Sequence, residues 1–416
     1  MQAVLAPDNL RQAWKRVKSN KGAPGIDRIS ITDFTAHAKT YWPDIRQHLE
    51  AGDYQPTAVR RVTIPKPGGG ERLLGIPTVT DRVIQQAIAQ VLTPIFEPKF
   101  SASSFGFRPG RNAHQAVRQV QTYIDAGYRI AVDIDLAKFF DTVNHDVLIR
   151  LLGRRIRDKP LLALIGRYLR AGVLVGEHVL PSDVGTPQGG PLSPLLANIL
   201  LHQLDGELER RGHRFARYAD DLIILVKSQR AGERVKRSLT QYLGQTLKLT
   251  VNEAKSKVAP VGECAFLSFT FRGKKLRWTD AALEDFKHQI RILTGRSWGV
   301  SMEHRLLKLR QYVRGWMGYF GVSQYYRPIP ELDEWLRRRI RMCYWKQWRL
   351  CRTKIHHLRK LGVNLKMAIQ HAVSSKSYWH MARTPAVQMA MSNAWLKAQG
   401  LVSVRDLWMK AQGYVV

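Results

Sequence analysis

"RYADDLIIL", residues 217–225, sets two neighbouring carboxylates, Asp220 and Asp221, between an aromatic residue and an apolar run. The run reads as a strand and the acidic pair as the bend of a strand–turn–strand hairpin. Adjacent carboxylates repel, and the repulsion is tolerable where cations sit beside them. Asp and water oxygens suit Mg²⁺, which keeps an octahedral shell and shares it with phosphates. A pair of Asp residues alone also fits a surface turn, so the surroundings decide.

Upstream, "YRIAVDIDLAKFFDTVNHD" (128–146) alternates Ile130, Val132, Ile134 and Leu136 on one strand face, with Asp133 and Asp135 on the other. A third carboxylate from Asp135 would complete a two-metal site of the kind that activates an attacking oxygen and stabilises a leaving one. Bound ions would also invert the local charge of an acidic site in a basic protein.

The protein is basic. Its 416 residues hold 66 Lys and Arg against 33 Asp and Glu, a net charge of +33. Such an imbalance concerns partners rather than fold, and nucleic acid is the natural polyanion. From Ala281 to Val416 there are 24 Lys and Arg against 7 Asp and Glu, and eight of the 11 Trp lie there. Basic residues among aromatics suit phosphates and stacked bases, although many of those Trp also suit a core. Cys264, Cys343 and Cys351 form neither a CxxC pair nor an even disulfide set, which argues for a reducing compartment and against a zinc finger. No apolar run reaches membrane-spanning length, and the N-terminus lacks a secretory signal, so no membrane partner is expected.

Along the chain, residues 8–19 read as a basic helix capped at Asp8 or Asn9, and 59–76 as a hairpin turned by three glycines. Residues 81–96 and 193–210 read as helices, with another starting near His145. Mixed strands and helices without a repeat predict an α+β region up to about residue 280. Beyond it, Leu306, Leu309, Val313, Trp316 and Phe320 make one helical stripe, and Leu332, Trp335, Leu336 and Ile340 another. Glu331, Asp333 and Glu334 complement the dipole of the second helix. This end reads as a separate helical domain.

Seven motifs, in order, carry a resemblance. "IPKPGGGERLLGIPTVTDRVIQQA" (64–87), "SSFGFRPGRNAHQA" (103–116), "DLAKFFDTVNHD" (135–146), "GTPQGGPLSPLLANILL" (185–201), "YADD" (218–221), "LTVNEAKSKV" (249–258) and "VRGWMGYF" (313–320) with "LDEWLRRRIRMCYWKQW" (332–348) resemble reverse transcriptases encoded by bacterial group II introns. The resemblance implies an α+β right-hand polymerase of fingers and palm followed by an all-α thumb or maturase domain. Its expected divisions are 1–58 for an N-terminal extension and the start of the fingers, 59–280 for fingers and palm, 281–380 for the helical thumb, and 381–416 for a basic segment without assigned chemistry.

Carried over by motif, Asp135, Asp220 and Asp221 are the catalytic carboxylates and, with the backbone carbonyl of Leu136, the ligands of two Mg²⁺ ions. Asp133 shares their strand face and stands behind them. Phe140 falls at the steric-gate position, where a ring under the sugar leaves no room for a 2′-hydroxyl; Phe139 is the core residue of the two. Lys66 and Arg72 flank the glycine turn and would meet the incoming triphosphate. Gln188 and Gly189 belong to the nucleotide pocket, and Arg108 to the template path. "CAFLSFTF" (264–271) resembles the primer grip, with Phe266 and Leu267 as contacts and Ser268 where glycine is usual.

The implied function is RNA-directed DNA synthesis with a splicing-maturase role. Expected partners are structured intron RNA, an RNA template with a DNA primer, dNTPs and target DNA, in the bacterial cytoplasm as a ribonucleoprotein or near the nucleoid. With too few cysteines for a zinc-associated endonuclease, the chain resembles the short, endonuclease-lacking branch, which would support retrohoming from existing nicks or forks. The alternatives are an intron-free reverse transcriptase domesticated for DNA repair or phage defence, and a predominantly RNA-binding splicing factor.

Overall fold

The structure is a computed structural model that describes residues 1–65, 71–175, 178–180, 184–185 and 189–414. The chain forms two compact units, Met1–Phe266 and Leu267–Val416.

The first unit runs through helices α1 (Gln2–Leu5), α2 (Pro7–Ser19) and α3 (Phe34–Ala51), then strands β1 (Val59–Pro65) and β2 (Glu71–Ile76). Next come α4 (Val79–Phe96), α5 (Ala113–Asp125), β3 (Ile130–Ile134), α6 (Phe139–Thr142), α7 (His145–Gly153), α8 (Lys159–Arg170), β4 (Val173–Val175) and β5 (His178–Leu180). The unit ends with α9 (Ser193–Arg210), β6 (Arg214–Tyr218), β7 (Asp221–Val226), α10 (Gln229–Tyr242) and β8 (Lys257–Pro260). Side chains fix several helix starts. Thr78, Asn112, Asn144 and Asp158 each accept a bond from a backbone N–H in the first turn, and Gln115 returns one to Asn112 in a capping box. The N-terminal helix begins differently from expectation. It starts at Pro7, whose ring suits a first helical position. Asn9 instead donates to the Val4 and Ala87 carbonyls, tying the helix to α4.

Two sheets follow. One has the order β2–β1–β4–β5; β1 and β2 pair antiparallel from Arg60–Ile76 to Pro65–Glu71, and β1 runs parallel to β4. The glycine turn of this hairpin, residues 68–70, lies outside the described residues. The other sheet has the order β6–β7–β3–β8 with every pair antiparallel. Successive residues of each strand point to opposite faces, and both faces of β7 are buried beyond Asp221. Val132, Ile134, Leu222, Ile224 and Phe215 enter the main core with Leu196, Leu200 and Leu204 of α9 and Leu239 of α10. The opposite face carries Asp133 and, at its edge, the residues of the hairpin bend. The amphipathic α5 packs on β6 and β7 and buries Ala116, Val117, Val120 and Ile124.

The second unit opens with the hairpin β9 (Phe269–Arg272) and β10 (Lys275–Trp278). Helices α11 (Asp280–Leu293), α12 (Met302–Phe320), α13 (Pro328–Gln347), α14 (Cys351–Lys360), α15 (Leu365–Ala372), α16 (Tyr378–Met381), α17 (Pro385–Ala390), α18 (Asn393–Ala398) and α19 (Val404–Ala411) complete it. The expected boundary near residue 280 leaves this hairpin in the preceding region, but Trp278 is fully buried in the helical core, with its ring 5.2 Å from Trp316. Both helical stripes appear where the spacing set them, in α12 and α13. Asp333 does more than complement a dipole: it accepts from the Val404 N–H at 2.7 Å and from Ser403 Oγ at 2.8 Å. Arg341 Nε donates to the Met391 carbonyl at 2.9 Å, and Trp408 Nε1 to the Ser323 carbonyl at 2.8 Å. Residues 391–408, in the stretch for which the sequence offered no role, are therefore stitched into the helical core.

Candidate active site

The β6–β7 pairing ends at Tyr218–Asp221, so Ala219 and Asp220 alone make the turn. Two-residue hairpin turns that match strand twist need positive φ, and Ala219 supplies it at φ 57. The turn presents Asp220 exposed at its tip and Asp221 half-buried at the first position of β7.

Asp135 reaches the same place from the adjacent strand. The β3–β7 register runs through Asp133–Ile223 to Ile134–Leu222, and continuing it by one residue sets Asp135 opposite Asp221. Directly opposed residues of an antiparallel pair share a face, so Asp133, Asp135 and Asp221 lie on one side of the sheet. The Asp135 backbone is held from the other flank: its N–H donates to Ser256 Oγ at 3.0 Å, and its carbonyl accepts from the Asn252 N–H at 2.8 Å. Leu136 then bridges to Val251 and buries its side chain.

Electrostatics fit a site that gathers cations. Burial pushes the Asp133 carboxyl up to about 6; Lys257, its cross-strand neighbour, pulls against that, and the Asp135 charge adds to it. Carboxylate oxygens on one sheet face suit hard divalent cations by donor chemistry. Among the described residues no group of three His, Cys, Asp or Glu side chains is placed to hold a metal ion; the strand register alone relates Asp135 to the Asp220–Asp221 turn.

The expected nucleotide-pocket residues divide. Lys66 and Gln188 lie outside the described residues, and of Arg72 the backbone alone is described, paired with Ile64. Phe140 is half-buried with its ring edge-on to Phe139 at 5.1 Å, while Phe139 is 2% exposed and in the core. Gly185 packs on the same short helix: a Cβ there would lie 2.9 Å from the carbonyl oxygens of both Phe140 and Asp141, at φ 95. Gly189, at φ 128, comes so close to β2 that a Cβ would lie 2.5 Å from the Gly75 carbonyl. Gly190 approaches Gln85 in the same way.

Arg108, expected on the template path, is 9% exposed. Its side chain is turned inward: Nε donates to Glu97 at 2.9 Å, and Nη1 to the Ser101 and Ser104 carbonyls at 2.5 and 2.7 Å. It braces its own loop because a buried guanidinium must satisfy its donors. Phe266 is 1% exposed and Leu267 half-buried, so neither offers a broad contact surface. Leu267 and Ser268 both take left-handed backbone, at φ 54 and 63. The residue in the expected glycine position thus adopts the conformation glycine favours.

Arg217 of β6, to which no motif assigns a role, is turned into the protein. It is 1% exposed and bonds the Ala219 carbonyl at 2.8 Å. Arg214 and Arg217 both sit in β6, and nothing in the sequence sets the buried one apart from the exposed one.

The family profile for reverse transcriptase (RNA-dependent DNA polymerase) matches residues 64–271, and that for the group II intron maturase-specific domain matches residues 283–362. The protein YkfC of Escherichia coli K12 is 32% identical over 316 residues, covering 66% of this chain and 82% of YkfC.

This chain belongs to the reverse transcriptase family.

It is a reverse transcriptase of the kind that group II introns encode, with an α+β polymerase unit and a helical maturase region. The group II intron-encoded protein LtrA of Lactococcus lactis is also 32% identical, over 340 residues, covering 65% of this chain and 56% of LtrA. This reverse transcriptase thus spans most of YkfC but little more than half of LtrA. A solved Cas6-RT-Cas1–Cas2 complex aligns with TM-score 0.40 at 16% identity, over 99% of this chain and 60% of that one. Among the described residues no helix is long and apolar enough to cross a membrane. Reverse transcriptases as a class use divalent metal ions.

Proposed function

We propose that this reverse transcriptase extends a DNA primer on an RNA template, with Asp135, Asp220 and Asp221 holding two Mg²⁺ ions at the primer end. The carrying observation is the strand register that sets Asp135 opposite Asp221 beside the Asp220 turn. Magnesium, when bound, supplies the positive charge that makes in-line displacement of pyrophosphate by a primer 3′-hydroxyl feasible. The protein's own residues do the rest. The three carboxylates, with the Leu136 carbonyl, hold and space the site. Phe140 stands under the sugar and excludes a 2′-hydroxyl. Lys66 and Arg72 orient the triphosphate of the incoming dNTP, and Gln188 and Gly189 line its pocket, the glycine allowing close backbone approach.

The helical unit binds structured intron RNA as a maturase. Its surface carries cations laid on aromatic rings, such as Arg338 over Trp379 at 3.8 Å and Arg291 and Arg339 over Trp335. In its host the protein supports retrohoming to target DNA, working in the bacterial cytoplasm as a ribonucleoprotein. Primer extension on RNA tests the catalytic half: product should require Mg²⁺ and dNTPs and vanish in Asp220→Ala. Robust synthesis by that variant contradicts the site. Equal splicing of the host intron with and without the protein contradicts the maturase half.

A further inference from the structure

Directly behind the acidic turn lies a buried ion pair that polymerisation chemistry does not itself require. Arg217 and Asp205 have side chains 1% and 0% exposed. A guanidinium has five N–H donors in a fixed fork, and here all five are committed. Nε donates to Asp205 Oδ1 at 2.6 Å and Nη2 to Asp205 Oδ2 at 2.5 Å. Nη2 also donates to Ser104 Oγ at 2.8 Å. Nη1 donates to Asn198 Oδ1 at 3.0 Å and to the Ala219 carbonyl at 2.8 Å.

The partners come from three places. Asp205 and Asn198 project from α9, Ser104 from the loop before α5, and Ala219 is the first turn residue. The loop is tied to Arg217 through the main chain as well: the Arg217 N–H donates to the Ser103 carbonyl at 2.9 Å, and its carbonyl accepts from Phe105 N–H at 2.8 Å. Asn198 Nδ2 closes the circuit on the Gly106 carbonyl at 2.8 Å. Gly106 then lies so near the turn that a Cβ would come 2.2 Å from the Ala219 nitrogen.

Two physical points give this arrangement a purpose. An apolar pair of similar volume would serve stability equally well or better, because a buried ion pair carries a desolvation cost. And a lone cation beside Asp220 and Asp221 would compete with any metal for their charge. Asp205, by taking two of the five donors, leaves the arrangement without net charge. Arg217 also sits opposite Leu222 in the register, on the core face, whereas Asp221 faces the other way. The bonds therefore reach the turn through its backbone carbonyl and from the rear.

We propose that Arg217 is a positioning residue for DNA synthesis: with Asp205 and Asn198 it forms a charge-neutral clamp that sets the height of the Ala219–Asp220 turn against Asp135. The proposal rests on reading Asp220 and Asp221 as the catalytic pair.

The test compares Arg217→Lys, Asp205→Asn and the apolar double variant Arg217→Met/Asp205→Leu in primer extension on an RNA template, with Tm, kcat, KM for dNTP and the Mg²⁺ half-saturation point measured for each. A displaced turn should lower kcat by about 100-fold, raise the Mg²⁺ requirement, and leave KM for dNTP near wild type. The double variant should keep its Tm and still lose kcat. A folded double variant with wild-type kcat and Mg²⁺ dependence overturns the proposal. So does a loss in the single variants that merely tracks their folded fraction, and these carry the test if the double variant does not fold. Asp220→Ala, run alongside, separates the two ideas: its activity would sink the catalytic pair itself, whereas wild-type Mg²⁺ dependence in the Arg217 variants sinks the clamp alone.

Discussion

Continued one residue past the Ile134–Leu222 pair, the β3–β7 register sets Asp135 opposite Asp221. Asp221 is held by its pairing with Tyr218, and Asp135 by its N–H on Ser256 Oγ and its carbonyl under the Asn252 N–H. Moving either carboxylate means changing strand register, and a one-residue slip turns every side chain of the strand to the other face.

Phe140 and Phe139 separate selectivity from stability. Phe140→Ala should admit ribonucleotides about tenfold more readily or better, with little change in Tm, since the ring is half-buried. Phe139→Ala should cost about 3–5 kcal/mol of stability and leave sugar discrimination unchanged among molecules that remain folded. Competition between dNTP and rNTP on one template reads the first effect, and thermal melting reads the second.

Gly106→Ala tests the closeness of loop and turn. The added methyl meets backbone rather than a yielding side chain, with the Ala219 nitrogen 2.2 Å away. Activity should fall by about 100-fold. Gly110→Ala, where nothing lies within 4 Å but φ is +69, should cost about 1 kcal/mol of stability and leave activity intact. Specific activity per folded molecule distinguishes the two.

Ser268 tests backbone strain. At φ 63, Ser268→Gly relieves a cost of about 1–2 kcal/mol and adds about 0.5–1 kcal/mol of unfolded-state entropy, for a neutral to slightly raised Tm. Ser268→Val, β-branched in the same conformation, should lower Tm clearly. A melting series settles the sign.

The three cysteines should react unequally. Cys264 and Cys343 are buried and Cys351 is exposed. Burial pushes the Cys264 thiol up to about 11 and raises that of Cys343. A thiol reagent at pH 8 should modify one cysteine quickly in the native protein and all three after denaturation. The unfolded chain releases the Cys264 proton near its ordinary 9.0, and the folded chain holds it to about 11. Folding stability therefore falls as pH rises across that window, and the loss should disappear in Cys264→Ala.

Much of this was legible in the sequence. Alternation of Ile130, Val132 and Ile134 against Asp133 and Asp135 set β3 and its two faces, because period-two patterning records burial directly, and the unbroken apolar run after Asp221 set β7, which is buried on both faces. The stripe from Leu306 to Phe320 marked α12 for the same reason. What stayed hidden depends on partners far along the chain. Arg217 and Asp205 are 12 residues apart on different elements, and neither residue's neighbours betray the bond. Asp333 looks like a helix-start acid until it meets Val404, 71 residues away. Arg108, expected along the template path, spends its donors on its own loop. Trp278 reads as part of the polymerase region until its ring is found against Trp316.

The most direct measurement is the single-turnover rate of nucleotide addition by Asp135→Asn, Asp220→Asn and Asp221→Asn, each with its Tm. The three carboxylates acting together predict that every variant folds as wild type does and loses at least about 100-fold in rate. A folded variant of any of the three that adds nucleotides within about tenfold of wild type contradicts the account.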